Sequence, residues 1–407
     1  MDPRLEDAVT LEGVIAALTG PDPTARVVRS ILRTHQSSLT NTQRVTIAKR
    51  VFGVSCLRAR LAYLCGSEVP RDLLAAYIDS SSLVPRPWPG DDVGHLVVRC
   101  SLPRWMATHF HTELGLSATI SLFETVNEPG PVTVRCNKDS SKIEGTPGRF
   151  APYAVILSKE EGGHKPNIWG NDAWRNGQFE VMDEGSQLIA LACSPLRPTD
   201  KIVDLCAGRG GKTLALADTM GGDIVGEIWA VDVDPKALAD IGPRKKRAGN
   251  LRHVKTLLLP TNHAEGEESC AKGAMDCLGN ADVVLVDAPC SSLGTLRRGP
   301  DVRWTMLPSL LTELPSLQKK LMRRAWQVVR PGGCVVYATC TLARAENEDV
   351  VDYAVTDLGF VPEPLSEAWG IALSEKLGIT PMCHSVTLLP HVHGTDGFFM
   401  ARFRKPR

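Results

Sequence analysis

Between residue 201 and residue 338 the sequence alternates short apolar runs with helical runs, and this alternation restricts the fold more than any other feature. The apolar runs predict five strands, at Ile202–Leu205, Ile228–Val231, Lys255–Leu259, Val283–Val286 and Cys334–Ala338. The stretches between and after them predict helices at Lys212–Thr219, Lys236–Lys246 and Pro315–Val329. Such alternation is typical of a parallel, doubly wound sheet. Ligands bind these sheets at the carboxyl ends of the strands, so the residues that follow the strands are the candidates for a site.

Two further domains are predicted upstream. Residues 1–90 carry apolar residues at helical spacing and end in a stretch rich in Pro and Gly at 85–90, which predicts a helical domain followed by a linker. Residues 91–195 contain predicted strands at Val132–Arg135 and Tyr153–Leu157, so a small α+β module is expected there. The predicted domains are therefore 1–90, 91–195 and 196–407.

Composition limits the location and the partners. Lys+Arg equals Asp+Glu, 46 against 46, so any binding to a polyanion must come from local basic patches. The 12 cysteines form no CxxC pair and have no regular spacing, which favours a reducing compartment and predicts neither disulfides nor a metal site. The acidic N-terminus and the lack of long apolar runs predict no signal peptide and no membrane span. We therefore expect a cytoplasmic monomer, with the nucleus and an organelle left open as locations.

A glycine-rich turn follows the first predicted strand. It consists of Cys206, Ala207, Gly208, Arg209, Gly210, Gly211 and Lys212. The glycines allow a tight turn and a close approach of the backbone to a ligand, and the next helix points free N–H groups into the same space. Asp232 follows the second strand, where a carboxylate can bind both hydroxyls of a ribose. The spacing predicts an adenosine-containing cofactor, whereas the absence of GxxxxGK[ST] and GxGxxG disfavours a Walker loop and NAD.

Two cysteines, Cys290 and Cys340, follow the fourth and fifth predicted strands. A single cysteine at such a place is most often a buried structural residue, but two of them beside a cofactor turn favour covalent chemistry. Methylation of cytosine at C5 needs this arrangement, because a thiolate that adds to C6 makes C5 able to attack a methyl sulfonium. Asp287 is placed to give a proton or a hydrogen bond to N3 of the ring. A second thiol could assist release of the product.

Several motifs surround these residues. They are CAGRGGKT at 206–213, VDAPCSSLGT at 286–295, RRGPDVRW at 297–304, TCT at 339–341 with ENE at 346–348, and TDGFFMA at 395–401. Together they resemble the motifs of the RsmB/Sun (Fmu) family of RNA cytosine-C5 methyltransferases. Upstream, 102–105, 127–129 and 132–135 resemble the small RNA-binding module of that family, and the N-terminal helices resemble its NusB-like domain.

The resemblance implies a fold, a cofactor and residue roles. The expected fold is a Rossmann-like class I methyltransferase domain preceded by a small α+β RNA-binding module and an all-α NusB-like domain. The methyl donor would be S-adenosylmethionine, contacted by residues 206–212 and by Asp232 and Asp287. Asn262 stands where the family usually has an aspartate on the adenine side, and Arg209 replaces a proline common in the turn.

The two thiols receive different roles from the resemblance. Cys340 of the Thr-Cys motif would be the nucleophile, and Cys290 of the Pro-Cys motif would promote release. DNA cytosine methyltransferases use the Pro-Cys thiol as nucleophile instead, but the paired second cysteine and the extension at 297–304 favour the RNA type. A DNA or small-molecule methyltransferase and a non-catalytic RNA-binding ribosome assembly factor are the competing interpretations.

Basic residues beside the Pro-Cys motif are predicted to contact RNA. Arg297 and Arg298, with Arg303, lie a few residues after Cys290, and the target base must leave its stack to reach a buried thiol. Arginines on such a loop could hold the flipped strand. Ribosomal RNA of the small subunit is the expected substrate, and tRNA is the alternative.

Overall fold

A computed structural model describes residues 3–20, 22–79, 83, 86–137, 143–158, 166–221, 224–249, 251–259 and 276–407. The chain divides into two compact units by its internal contacts. The helical unit comprises Met1–Gly130 and Thr295–Pro308, and the sheet unit comprises Pro131–Gly294 and Ser309–Arg407. This division differs from the three predicted domains, since the predicted module 91–195 is shared between the two units.

The helical unit forms from amphipathic segments whose apolar residues meet in one core. Its helices are α1 Pro3–Thr19, α2 Thr24–Thr34, α3 Asn41–Cys65, α4 Pro70–Ile78, α5 Asp92–Arg99 and α6 Arg104–Val126. Val14, Ile47, Val51 and Leu73 are among the buried residues of the core of α1–α4. A capping box at Thr40 starts α3, because the Thr40 hydroxyl accepts from the Gln43 N–H and the Gln43 side chain accepts from the Thr40 N–H.

A segment inserted from the later part of the chain completes this unit. We call residues Thr295–Pro308 the inserted segment; it carries the short helix α11, Val302–Thr305. Trp304 Nε1 donates to the Ser55 carbonyl over 2.8 Å, and the Arg58 guanidinium lies 4.1 Å from the centroid of the Trp304 ring. Asp301 accepts from the Thr24 N–H at the start of α2 over 3.1 Å. The inserted segment is therefore an integral part of the helical unit, although the sequence places it beside Cys290.

The sheet unit begins with a small antiparallel sheet. Its strands are β1 Thr133–Cys136, β2 Gly145–Pro147, β3 Ala154–Leu157 and β4 Phe179–Val181, in the order β2-β3-β1-β4. Helix α7, Asp172–Arg175, precedes β4. The buried carboxylate of Glu180 forms ion pairs with Arg244 and Arg247. This pairing ties the small sheet to the following part of the same unit.

A larger sheet carries most of the predicted strands. The strands are β5 Lys201–Asp204, β6 Glu227–Asp232, β7 Val254–Leu258, β8 Ala281–Asp287, β9 Val329–Thr339, β10 Val361–Pro362, β11 Ser385–Leu388 and β12 Phe398–Arg404. The order is β10-β12-β9-β8-β5-β6-β7, with β11 paired to β12. Strands β5 to β9 pair in parallel, as the alternation predicts, whereas β10 and β11 pair antiparallel to β12, which itself pairs antiparallel to β9. The sheet is therefore mixed.

Helices accompany this sheet along the chain. They are α8 Glu184–Leu191, α9 Gly211–Met220, α10 Pro235–Arg247, α12 Leu310–Val328, α13 Glu348–Thr356, α14 Ser366–Trp369, α15 Ile371–Lys376 and α16 Pro390–His393. The central strands are buried on both faces, so neighbouring residues such as Ile202 and Val203 belong to different core clusters. Side chains alternate between the faces of a strand, which explains why these strands are apolar throughout.

The predicted fold class is confirmed. The described chain has an all-helical N-terminal region, then a small antiparallel sheet, then a Rossmann-like sheet. Predicted and observed strand ends differ by one or two residues, except that β9 begins five residues before Cys334. Within the described ranges, no helix has the length and the apolar character needed to cross a bilayer.

Candidate active site

The glycine turn, Cys206–Lys212, leaves β5 and ends in the first residues of α9. Gly208 and Gly210 have φ values of +51° and +79°, a region that glycine adopts without a Cβ penalty. A Cβ on Gly210 would lie 2.8 Å from the Ile241 side chain, so α10 packs directly against the turn. At Gly208 a Cβ would meet nothing within 4 Å. The turn therefore presents bare backbone to open space at the carboxyl end of β5.

Asp232 stands at the end of β6 and faces this turn. Its Oδ2 accepts from the Gly208 N–H over 2.7 Å. Its Oδ1 accepts from the N–H groups of Val233 and Asp234, over 2.7 and 2.9 Å. A carboxylate has about four lone-pair sites, and three are occupied here, so Oδ2 can accept one further hydrogen bond from a ribose. The cofactor role of Asp232 stays a prediction, and its position beside Gly208 favours it.

Asp204, the last residue of β5, is a site residue that the sequence did not single out. Its side chain is fully buried, and Oδ2 accepts from the Thr213 hydroxyl over 2.7 Å. Its Oδ1 is buried with no hydrogen-bond partner among the described residues. Burial raises the pKa of Asp204 to about 7, against the lowering effect of the Thr213 hydrogen bond. A buried acceptor without a donor, next to the glycine turn, fits a ligand that brings its own N–H groups.

Lys212, the last residue of the glycine turn, forms an ion pair with Asp287, the last residue of β8. Lys212 Nζ lies 2.7 Å from Asp287 Oδ2. Burial alone would lower the pKa of Lys212, but the charge of Asp287 and its hydrogen bond raise that pKa above its ordinary value. The lysine therefore stays charged. The structure thus places two residues that the sequence assigned to one site in direct contact.

Cys290 and Cys340, which we call the thiol pair, lie side by side. They follow β8 and β9, which pair in parallel with Asp287 opposite Ala338. Their Sγ atoms are 3.3 Å apart, and the Cys340 N–H also donates to Cys290 Sγ over 3.3 Å. A disulfide would need about 2.05 Å, so both residues are free thiols. The structure thus brings together two cysteines that the sequence analysis placed beside the same cofactor turn.

The two thiols ionise differently. A hydrogen bond from Cys290, assisted by Ser292 and by the charge of Lys212, lowers the pKa of Cys340, although burial and Asp287 act in the opposite direction. The pKa of Cys290 is raised well above its ordinary value, because it gives its hydrogen bond to Cys340 and is buried. A thiolate is the nucleophilic form of cysteine. These shifts favour Cys340 as the nucleophile and Cys290 as the hydrogen-bond donor, and both roles stay predictions.

The other predicted residues of the turn have identifiable surroundings. The Ala207 N–H donates to the Val231 carbonyl over 2.9 Å, which links the turn to β6. Arg209 is exposed, forms an ion pair with Asp240 over 2.9 Å and receives a hydrogen bond at its carbonyl from Arg244. Burial raises the pKa of Cys206 well above its ordinary value, so Cys206 stays a neutral thiol. Asn262, predicted for the adenine side, lies outside the described residues.

The three predicted RNA-contacting arginines lie on the inserted segment of the helical unit. Arg298 is exposed and Arg297 is half-buried beside Gly130. Arg303 is fully buried, and its Nη1 donates to the carbonyls of Cys100 and Ser101 and to the Asn127 side chain. An arginine enclosed in this way is a structural residue of the helical unit, because its guanidinium does not reach the surface. The RNA contact predicted for Arg303 is therefore not supported, whereas those of Arg297 and Arg298 stay predictions.

Comparison with known proteins agrees with this arrangement. The family described as 16S rRNA methyltransferase RsmB/F matches residues 191–404. The putative methyltransferase Rv1407 of Mycobacterium tuberculosis is 34% identical over 338 residues, covering 77% of this chain and 66% of that protein. The probable ribosomal RNA small subunit methyltransferase B of Bacillus subtilis is 30% identical, covering 77% of this chain and 69% of that protein. The chain thus spans about two thirds of the length of these relatives.

Solved structures share the fold. The crystal structure of PH0851 superposes with a TM-score of 0.74 at 21% identity, covering 100% of this chain and 99% of that chain. A methyltransferase homolog protein from Pyrococcus horikoshii superposes with a TM-score of 0.60 at 25% identity, covering 78% of this chain and 99% of that chain. The family match covers more than half of the 407 residues. This chain therefore belongs to the 16S rRNA methyltransferase RsmB/F family, a family of S-adenosylmethionine-dependent RNA cytosine methyltransferases.

Proposed function

We propose that this chain methylates C5 of a cytosine in ribosomal RNA of the small subunit, with Cys340 as nucleophile and S-adenosylmethionine as donor. The observation that carries the proposal is the 3.3 Å separation of the two sulfur atoms, together with a pKa that is lowered for Cys340 and raised for Cys290. A covalent adduct that forms and is later released needs a nucleophile and a group that assists its departure. The RNA class is proposed from the family description and the name of the Bacillus relative; tRNA is the alternative.

The chain has groups that suit the proposed donor. Open backbone at Gly208 leaves room for a ligand, and Asp232 Oδ2 can accept from a ribose hydroxyl. The unpartnered Oδ1 of Asp204 suits the N–H groups of an amino acid moiety. We assign the methyl donor to residues 206–212 and Asp232 on this basis, and to Asp287 because of the family resemblance. Bound there, it supplies the methyl group on a positively charged sulfur.

The remaining chemistry belongs to the thiol pair and its neighbours. The Cys340 thiolate adds to C6 of the base, and the electron pair of the C5–C6 bond then makes C5 nucleophilic. Lys212 favours the thiolate by its charge, and Asp287, whose Oδ2 contacts Lys212, is assigned through Oδ1 to the N3 side of the ring. After transfer, water takes the C5 proton, the electron pair of the C5–H bond forms the C5–C6 double bond again, and the C6–S bond breaks with its electron pair going to Cys340 as a thiolate. The Cys290 thiol can then stabilise the departing Cys340 thiolate by a hydrogen bond over 3.3 Å.

The nucleophile is tested by Cys340→Ala. We expect the purified variant to transfer no labelled methyl group to RNA while it keeps the circular dichroism spectrum of the wild type, because the C5 atom is not activated without the adduct. Cys383→Ala is the matched control, since Cys383 is a half-buried thiol of the same unit that contacts Thr380. Normal turnover by Cys340→Ala contradicts the proposal.

The substrate is tested by bisulfite sequencing of total RNA from cells with and without the gene. We expect a single protected cytosine of small-subunit ribosomal RNA to lose its protection in the deletion strain. Loss of protection in a tRNA instead moves the substrate to the alternative class. No lost position in any RNA contradicts the proposed activity in the cell.

A further inference from the structure

A buried polar cluster joins the two loops that carry the thiols. Its centre is Glu346, at the end of a short 3₁₀ turn Arg344–Glu346 that follows the Thr-Cys motif. The side chain of Glu346 is fully buried. Burying a carboxylate is costly unless it has hydrogen-bond donors, so the contacts of Glu346 require an explanation.

Three donors converge on the Glu346 carboxylate. The Ser291 N–H donates to Oε2 over 3.0 Å, and Gln318 Nε2 donates to the same oxygen over 2.8 Å. The Ser291 hydroxyl donates to Oε1. Gln318 Nε2 also donates to the Pro289 carbonyl over 3.0 Å. Glu346, on the chain after β9, therefore holds the residues on both sides of Cys290, on the chain after β8.

The same cluster reaches the residue next to the other thiol. Ser291 Oγ lies 2.6 Å from Thr341 Oγ1, and Thr341 directly follows Cys340. Each thiol thus has its C-terminal neighbour in one hydrogen-bonded group with Glu346. Beyond this group, the Gly294 N–H donates to the Cys340 carbonyl over 2.9 Å. The sulfur–sulfur distance depends on how these two loops are held together.

We propose that Glu346 is a positioning residue that fixes the loop of Cys290 against the loop of Cys340 and thereby sets the distance between the two sulfur atoms. It touches neither thiol and acts through Ser291. The inference deepens the proposed function, on which its catalytic meaning rests, by adding a residue that holds the nucleophile and the release group in register.

The chemistry of the side chain makes Glu346→Gln informative. A glutamine has nearly the same volume but presents an NH₂ group in place of one oxygen. The Ser291 N–H and the Gln318 side chain both donate to Oε2, so the amide oxygen of the variant must take that position, and the Ser291 hydroxyl must accept from the amide NH₂ group instead of donating to Oε1. The three charge-assisted hydrogen bonds then become neutral and weaker, and the loop of Cys290 is expected to shift. Cys290 then loses its hydrogen bond to Cys340.

The ionisation of Cys340 reports this shift directly. The titratable groups that act on Cys340 are Cys290 and Asp287 from the loop after β8 and Lys212 from the start of α9, with the Ser292 hydroxyl beside them. Asp287 and Lys212 pair with each other and not with the polar cluster. Hydrogen bonds connect Glu346 to Cys340 through Ser291 and then through either Cys290 or Thr341, so a variant without the Cys290 thiol distinguishes the two routes.

The experiment measures the pH dependence of Cys340 alkylation by iodoacetamide in the full chain, with peptide mass spectrometry to follow Cys340 alone. We expect the midpoint to rise by about one pH unit in Glu346→Gln, since a lost hydrogen bond to a charged group has an effect of that size. Asp349→Asn is the control, because Asp349 is an exposed carboxylate three residues away that pairs with Arg344. Its midpoint should equal that of the wild type.

A double variant separates positioning from other effects. When Glu346→Gln is added to Cys290→Ala, the midpoint of Cys340 alkylation should not shift further, because the thiol through which Glu346 acts is gone. Ser291→Ala provides a second route, since it removes the hydroxyl between Glu346 and Thr341 but keeps the Ser291 N–H. Ser291→Ala should also raise the midpoint of Cys340 alkylation, and it tests the positioning role if Glu346→Gln fails to fold.

Two results overturn the inference. One is an unchanged Cys340 midpoint in folded Glu346→Gln and Ser291→Ala. The other is an equal shift in the presence and absence of Cys290. Neither measurement uses RNA or the methyl donor, so a wild-type chain that methylates no RNA would contradict the proposed function and leave the positioning role standing.

Discussion

At the scale of single residues, Cys290 and Cys340 show that surroundings decide the role of a side chain. Both are cysteines at the end of a parallel strand, and their sulfur atoms are 3.3 Å apart. Cys340 receives the Cys290 hydrogen bond and lies near Lys212, which lowers its pKa, while Cys290 is the donor and its pKa is raised. The geometry therefore favours the roles that the family resemblance implies over those of the DNA enzymes.

Removal of the release group should trap the adduct. We expect Cys290→Ala to form a covalent protein–RNA complex when donor and substrate are present, because Cys340 can still add to C6 while its departure loses the assisting thiol. The complex should appear as a shifted band on a denaturing gel. The double variant Cys290→Ala with Cys340→Ala should show no such band. Loss of all reactivity without an adduct would require the two roles to be exchanged.

Asp204 should make stability depend on pH near neutrality. Its pKa is raised to about 7 in the folded chain, above the value of about 3.9 expected when unfolded. The folded state therefore keeps a proton that the unfolded chain releases. This contribution to stability is fully present below about pH 4 and is lost as the pH rises through about 7.

Asp204→Asn should remove this loss of stability with rising pH. The amide oxygen can still accept from Thr213, so we expect the variant to gain stability over the wild type between pH 5 and pH 8, by on the order of 4 kcal/mol at most. Thermal unfolding without cofactor, recorded across this range, measures the difference. The half-buried residue Asp240, which pairs with Arg209 outside the buried site, supplies the control Asp240→Asn, whose stability should vary with pH in parallel with the wild type. A constant difference between Asp204→Asn and the wild type would contradict the prediction.

At the scale of elements, a buried arginine is among the residues that hold the inserted segment. Arg303 Nη1 donates to two carbonyls and to Asn127, and the side chain has no exposed surface. Its Nε and Nη2 are buried without a partner among the described residues. Desolvation lowers the pKa of Arg303. The segment is thus attached through a costly buried charge that several acceptors offset.

Arg303→Met should destabilise the chain because it leaves the carbonyls of Cys100 and Ser101 without their donor. We expect a loss of about 3 kcal/mol in the free energy of unfolding, measured by urea denaturation. Arg298→Met, a change of the same kind at an exposed position of the segment, should stay within about 0.5 kcal/mol of the wild type. Equal effects of the two substitutions would contradict a structural role for Arg303.

At the scale of the whole molecule, charge is balanced and any attraction to RNA must be local. The 46 basic residues equal the 46 acidic ones, so the net charge supplies no long-range attraction to a polyanion. Exposed residues such as Arg298 are then the ones that determine the salt dependence of binding, and this can be measured.

Arg298→Met should reduce the slope of log affinity against log salt concentration for single-stranded RNA by about 0.7, the value for one lost phosphate contact. Filter binding at several salt concentrations gives the slope. Arg26→Met is the control, because Arg26 is an exposed arginine of α2 that pairs with Asp22. An unchanged slope in Arg298→Met would remove this residue from the RNA-binding surface.

The local sequence pattern determined the central strands of this protein and the position of its candidate site. The alternation of apolar runs predicts β5 to β9 and the parallel pairing between them, because strand and helix periods are properties of neighbouring residues. The same reasoning places the glycine turn, Asp232 and the thiol pair at one edge of the sheet, since parallel strands end on the same side. The ion pair of Lys212 with Asp287 joins two residues assigned to that edge.

Tertiary contacts decided the rest. Arg303 lies in the basic run after Cys290, yet it is buried against residues about 200 positions earlier in the chain. Glu346 belongs to a quoted motif, but only packing shows that its carboxylate holds Ser291, 55 positions away. Pattern along a chain reports which face of an element is apolar. It does not report which distant donor meets which acceptor, because that choice is made when the elements pack.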